Sequence, residues 1–252
     1  MDAVSNTDSQ VIQNRVKEDR GAFCLVVWIM LFILWDNDGV LVDTEGFYFR
    51  ACRSVLASAG IGLTAAQFKE ISLRQGESVF TLAADLGIPA DEIARLRAER
   101  DRIYTDFLRT EPCVVDGAEE VLRSLHGRFC MGVVTSTRRE HFEIAHSKSG
   151  LMQYLEFVIA HGDYRRSKPH PDAYLATLER NGRHPANYIV VEESERGLAA
   201  ATAAGLECLI VRSEWTKDGD FGTARKVLES IGEVPEEVLR WAAERPSRLV
   251  LP

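Results

Sequence analysis

Apolar residues gather into five short unbroken runs, at residues 31–35, 131–135, 157–160, 188–191 and 208–211. None alternates with polar positions, so each is expected to be a strand buried on both faces, as in a parallel sheet covered by helices. Between the later runs, apolar positions recur at helical spacing over 117–126, 139–147, 171–181 and 195–204. This βαβ rhythm predicts an α/β fold with a doubly wound, Rossmann-like parallel sheet. The interval 44–112 breaks the rhythm. It is strand-poor, carries amphipathic segments at 48–59, 65–73, 78–86 and 91–108, and is punctuated by Gly60, Gly62, Gly76, Gly87 and Pro89. A small helical cap inserted after the first strand is expected there, over the carboxyl edge of the sheet. After the last run, 215–222 reads as a polar loop, with helices over 223–231 and 234–244. The expected organisation is a core built from 30–43 and 113–252, a cap at 44–112, and a poorly ordered extension over 1–29.

Charge and cysteine usage narrow the function classes. A formal charge of −8 argues against a nucleic-acid surface while leaving room for a local anion pocket. Cys24, Cys52, Cys113, Cys130 and Cys208 are scattered, with no C-x-x-C pair or partnering His spacing, and read as reduced residues of a cytoplasmic protein. The apolar stretch 23–35 is too short to span a bilayer comfortably. Cleavage downstream of it would discard the acidic motif that follows, so no membrane association is expected.

The chemistry gathers where the apolar runs stop. The first ends in Asp36-Asn37-Asp38-Gly39, two carboxylates one residue apart at a strand terminus, where ligands bind in parallel α/β sheets. Asp36 there can attack phosphorus, and Asp38 can protonate a leaving oxygen and later deprotonate water. An Asp-rich turn shaped by a permissive glycine explains the same motif without chemistry. The second run ends in Thr135-Ser136-Thr137, hydroxyls and N–H groups suited to a phosphate, with Thr137 equally a helix N-cap. Lys168-Pro169 opens a helix and offers a compact positive charge near the nucleophile, although such a pair is commonly a solvated helix entry. The run at 188–191 ends in Glu192-Glu193-Ser194, hard oxygen ligands that suit magnesium beside Asp36 or, alternatively, an acidic first helical turn. The small residues at 197–205 fit a helix packed close to the sheet.

In combination and in order, these motifs resemble those of the haloacid dehalogenase-like superfamily: Asp36 to Asp43 its first, Thr135 its second, Lys168-Pro169 its third and Glu192-Glu193-Ser194 its fourth. The resemblance covers residues 30–211. The insert resembles the small cap of the β-phosphoglucomutase-like branch, and 215–221 is similar to the tail of CbbY-type sugar-phosphate phosphatases. The resemblance implies Asp36 as nucleophile, Asp38 as acid/base, and Mg2+ held by the Asp36 carboxylate, the Asp38 carbonyl, Glu192 and Glu193. Two departures stand out. Glu193 occupies the usual aspartate position, where one extra methylene displaces a ligand by about an ångström. Tyr48 stands where the mutase has a cap histidine, and the mutase cap-loop arginine has no clear counterpart, though Arg74 lies nearby. Both features of the cap favour hydrolysis over mutase chemistry.

The expectation is therefore a magnesium-dependent phosphatase of a small phosphorylated metabolite, a sugar phosphate, working through an aspartyl-phosphate as a monomer or weak dimer. Glu45, Tyr48, Arg74 and Gln75 are the cap-side contact candidates, and Ser136, Thr137 and Arg138 the core-side ones. The alternatives are a β-phosphoglucomutase-like phosphomutase and a catalytically weak ligand-binding member of the same fold. Dehalogenation makes poor use of Asp38, and phosphonate hydrolysis would need an activated cap lysine, for which Lys69 has no evident partner.

Overall fold

The computed structural model describes residues 30–245 and, in a separate unit, the antiparallel pairing of Val26–Val27 with Leu249–Val250. Apart from those two strand residues, the expected extension over 1–29 lies outside the described residues. In Met30–Arg245 a six-stranded, all-parallel sheet is built from β1 (Phe32–Trp35), β2 (Cys130–Arg138), β3 (Phe157–His161), β4 (Tyr188–Glu192), β5 (Glu207–Val211) and β6 (Lys226–Leu228), in the order β3-β2-β1-β4-β5-β6.

The unbroken apolarity of β1 has a direct cause. Ile33 and Trp35 enter one core layer, against α5 (Ala118–Leu125) and α9 (Val234–Ala243), while Phe32 and Leu34 enter a second layer with Tyr174 and Leu198. Those two residues come from α7 (Asp172–Asn181) and α8 (Glu195–Ala203), so both faces of the strand are dry.

Strand β1 lies between β2 and β4, with Trp35 registered against Val133 on one side and Val191 on the other. The chain leaves β1, adds β2 and β3 on one side, then crosses to β4 on the other. That reversal opens a crevice at the carboxyl ends of three central strands.

The interval after β1 is helical: α1 (Glu45–Ser58), α2 (Ala65–Phe68) continuing into a π-helical turn (Lys69–Arg74), α3 (Thr81–Asp85) and α4 (Ala90–Thr110). It has an apolar cluster of its own, including Val55, Leu56, Phe68, Phe80 and Ile93. Trp215, from the loop after β5, packs tilted against Phe49 and edge-on against Phe68 at ring-centroid separations of 5.5 Å, and Arg138 at the end of β2 pairs with Asp101 of α4 at 2.7 Å. The helix α6 (Arg139–His146) follows β2.

Two local expectations are corrected. Residues 223–231 do not form a helix: Lys226–Leu228 adds an edge strand to β5, because the Arg225 N–H bonds Cys208 O and the Arg212 N–H bonds Leu228 O, carrying the ladder past both ends. Thr137 does not cap α6. Strand β2 runs on through Arg138, which occupies the cap position, and the Thr137 hydroxyl turns to Asp38. Among the described residues, no helix is long and apolar enough to cross a membrane, and Cys52, Cys113, Cys130 and Cys208 are free thiols.

Candidate active site

Sheet register delivers the site. Asp36 continues β1 with its N–H bonded to Val191 O (2.8 Å), Thr135 lies two residues beyond Val133 on β2, and Glu192 ends β4. Three neighbouring strands therefore present a polar side chain at nearly one level, although β2 itself runs on to Arg138. These groups border a cavity of about 370 Å³ roofed by residues of α1, the π-helical turn and α4, within the size range of small-molecule sites.

Lys168 ties the floor together. Its Nζ donates to Asp36 Oδ1 (2.5 Å), Glu192 Oε1 (2.6 Å) and Val134 O (2.8 Å), and the Tyr174 hydroxyl also donates to Glu192 Oε1 (2.6 Å). Burial opposes the charge on Lys168, but the Asp36 and Glu192 carboxylates outweigh it and hold the ammonium protonated. Asp36 is pushed up to about 7, by burial first and then by Glu192, against the pull of Lys168. Gly197 makes the arrangement possible: a Cβ there would sit 1.9 Å from a Glu192 carboxylate oxygen. Ser194 caps α8 by accepting from the Gly197 N–H, which fixes the backbone directly after the two glutamates.

Asp38 is held differently. It accepts from the hydroxyls of Thr44, Thr137 (2.5 Å) and, more loosely, Thr135 (3.4 Å), and from the Asn37 amide (3.2 Å). Its partners are neutral donors, so its orientation is fixed without an ion pair. Gly39, at φ +78°, turns the chain under it. A side chain at Gly39 would also strike Glu193, whose Cγ lies 2.8 Å from the Cβ position. The Ser136 hydroxyl is buried on the cavity wall and has no hydrogen-bond partner among the described residues.

Asp36, Glu192 and Glu193 each place a carboxylate oxygen within 4.8 Å of the other two, all three buried. Glu193 Oε2 has no hydrogen-bond partner among the described residues, and burial, followed by repulsion from Asp36 and Glu192, pushes Glu193 well above the ordinary carboxylate range. An orphaned, desolvated carboxylate beside two others, with only oxygen donors, fits a hard divalent cation of the magnesium class.

The structure gathers Asp36, Asp38, Glu45, Tyr48, Thr135, Ser136, Thr137, Arg138, Lys168 and Glu193 around the cavity, with Glu192 directly beneath. Arg74 and Gln75 are not brought to it: they leave the π-helical turn on its exposed side, both bonded to Glu70. Ser72 and Leu73 line the cavity in their place. Sequence reasoning missed Arg100, which reaches the wall from α4 and donates to the Tyr48 hydroxyl, and Arg196, which donates to Lys168 O and to Ser72 O (3.3 Å). Arg196 was legible only as the third residue after Glu193. His146 was missed as well; its Nε2 lies 2.7 Å from Asn37 Oδ1, beneath the acidic turn.

A family model described as haloacid dehalogenase-like hydrolase matches residues 33–211. The chain belongs to that family. It is 30% identical over 216 residues to the phosphorylated carbohydrates phosphatase of Thermotoga maritima, covering 82% of this chain and 95% of the relative. It is also 30% identical over 189 residues to the fructose-1-phosphate phosphatase YqaB of Escherichia coli, covering 71% of this chain and 95% of that protein. The fold matches the crystal structure of CbbY from Rhodobacter sphaeroides in complex with phosphate at a TM-score of 0.70, with 22% identity over 81% of this chain and 96% of that one.

Proposed function

We propose that this haloacid dehalogenase-like hydrolase is a phosphoric monoester hydrolase that takes a small phosphorylated sugar as substrate, uses Mg2+, and works through an aspartyl-phosphate at Asp36. The observation that carries this reading is the placement of Asp36 and Asp38 on one cavity floor, one bonded to a buried lysine and the other to hydroxyls. Relatives named for phosphatase activity on phosphorylated carbohydrates support the substrate class.

Asp36 is the nucleophile: its free carboxylate oxygen attacks phosphorus in line with the ester oxygen, forming the Asp36 O–P bond as the P–O bond to the sugar breaks. Asp38 gives its proton to the departing alkoxide, then takes one from the water that attacks the aspartyl-phosphate and returns Asp36. Lys168 orients Asp36 and offsets phosphoryl charge, while Ser136 supplies a hydroxyl not engaged elsewhere. Asp36, Glu192, Glu193 and the Asp38 carbonyl are the groups that would hold Mg2+, which when bound offsets repulsion between these carboxylates and an anionic substrate.

The helical segment 44–112 acts as the cap in this reading, Tyr48, Ser72, Leu73 and Arg100 facing the sugar. Tyr48 is pushed up to about 12, by burial above all, and so serves as a neutral phenol rather than a base. That favours hydrolysis over return of the phosphoryl group to the sugar.

Phosphate release from a panel of sugar phosphates, with and without Mg2+, tests the reading. Magnesium-dependent release that falls by about three orders of magnitude or more in Asp36→Asn is expected. Isomerised product without free phosphate, or no turnover on any member, overturns it.

A further inference from the structure

Glu45 opens α1 and is only 8% exposed, yet its Oε2 has no hydrogen-bond partner among the described residues. An acidic residue in the first helical turn is ordinarily explained by the helix dipole, but that role leaves the carboxylate in water. Here it is desolvated and faces its own kind. Glu45 Oε1 lies 3.2 Å from the Cβ position of Gly39, and Glu193 Cγ and Cδ lie 2.8 and 3.6 Å from the same point, so both carboxyl groups rest on one bare glycine. Each of the two residues carries an orphaned buried oxygen. Neither is bonded to Lys168, whose three hydrogen bonds go to Asp36, Glu192 and Val134.

We propose that Glu45 is a positioning residue of the cation site, accepting a hydrogen bond from a water on the bound divalent ion and so anchoring the side of the site that Lys168 does not reach. This rests on the cation reading given above and adds a residue to it. An outer role, rather than direct ligation, follows from Glu45 standing outside the tight group of Asp36, Glu192 and Glu193. Magnesium keeps several of its waters, and those waters need acceptors. The longer side chain of Glu193 suits the same arrangement, because it lies across Gly39 toward Glu45. Thr44, one residue earlier, donates to Asp38, so a single turn at the start of α1 serves both the acid/base group and the cation.

Magnesium binding to the full chain, measured by calorimetry and by the rise in melting temperature of the substrate-free protein, tests this. Glu45→Gln preserves shape and removes the charge, and Glu45→Met removes the acceptor as well. Both are expected to fold, to bind Mg2+ about 10- to 100-fold more weakly, and to keep a near-native KM for sugar phosphate once Mg2+ is saturating. Native Mg2+ affinity in both variants, with affinity lost in Glu193→Gln, overturns the role of Glu45 and leaves the cation site standing. A raised KM at unchanged Mg2+ affinity makes Glu45 a substrate contact and likewise overturns it. Failure of the wild type to bind Mg2+ removes the site and the proposal together.

Discussion

The two walls of the cavity are built on different principles. On the sheet side, Asp36, Lys168, Tyr174 and Glu192 form a buried, bonded network rooted in β1 and β4 and tied to β2 where Lys168 donates to Val134 O. On the helical side, apolar packing holds the elements, including Ala51, Tyr104 and Leu108 with Ala145, and the polar and aromatic ties to the sheet side are separate from one another, such as Arg138 with Asp101, Trp215 with Phe68, and Arg196 with Ser72 O. A network in which every member constrains several others resists displacement, whereas isolated contacts can be exchanged at small cost. Under the proposed function, chemistry that tolerates little misplacement falls to the strands, and substrate selection to the helices.

Two glycines offer the sharpest way to break this contrast. Gly197→Ala puts a methyl group into the Glu192 carboxylate, which strand, lysine and tyrosine all hold in place. The expected loss in urea-unfolding free energy is about 3 kcal/mol, with activity falling alongside. Gly60, which follows α1, has φ +76° and open space around its Cβ position. Gly60→Ala therefore meets only backbone strain, worth about 1 kcal/mol, with activity retained. Equal losses at the two positions would mean that the sheet edge yields as readily as the helical layer.

The same contrast decides what was legible in the sequence. Asp36, Thr135 and Glu192 could be placed at one edge because each terminates an apolar run, and strand ends in a parallel sheet share a level. The contacts from the helical side had no such rule. Ser72 and Leu73 reach the cavity and Arg74 does not because a π-helical turn over Lys69–Arg74 shifts which side chains face inward, a local change that apolar spacing does not encode. Arg100 and Arg196 meet their partners across 52 and 124 residues of chain, so only tertiary packing brings them into view. The sixth strand was missed because three residues at a sheet edge carry almost no periodic signal; their pairing with β5 defines them.

His146 sharpens the comparison through pH. Its ring is buried beneath the acidic turn, with Nε2 against Asn37 Oδ1 and Nδ1 against Ser149 Oγ, and burial pushes it down to about 4. The folded chain keeps this histidine neutral while the unfolded chain protonates it near 6.5. Between those values the unfolded state binds the extra proton, so stability falls as pH drops from about 6.5 to about 4, by as much as about 3 kcal/mol. Urea unfolding at pH 7 and pH 5 should show that slope in the wild type and a shallower one in His146→Gln. An unchanged slope in the variant would assign the acid sensitivity to other groups.

Arg196 carries the smallest effect and bears most directly on how the two walls meet. It springs from the first turn of α8, three residues after the acidic pair, and spans from Lys168 O on the sheet side to Ser72 O on the helical side. Its guanidinium lies against Gly76, where a Cβ would be 2.7 Å from Cζ, so the loop after the π-helical turn fits around it. Arg196→Met keeps much of the aliphatic packing and removes both hydrogen bonds. Amide hydrogen exchange over 69–76 should then accelerate by about tenfold, the equivalent of about 1.4 kcal/mol of local stability, while exchange over β4 stays at its native rate. If β4 accelerates to the same extent, Arg196 supports the sheet edge itself, and the division between a rigid strand wall and an adjustable helical wall fails at a side chain that joins them.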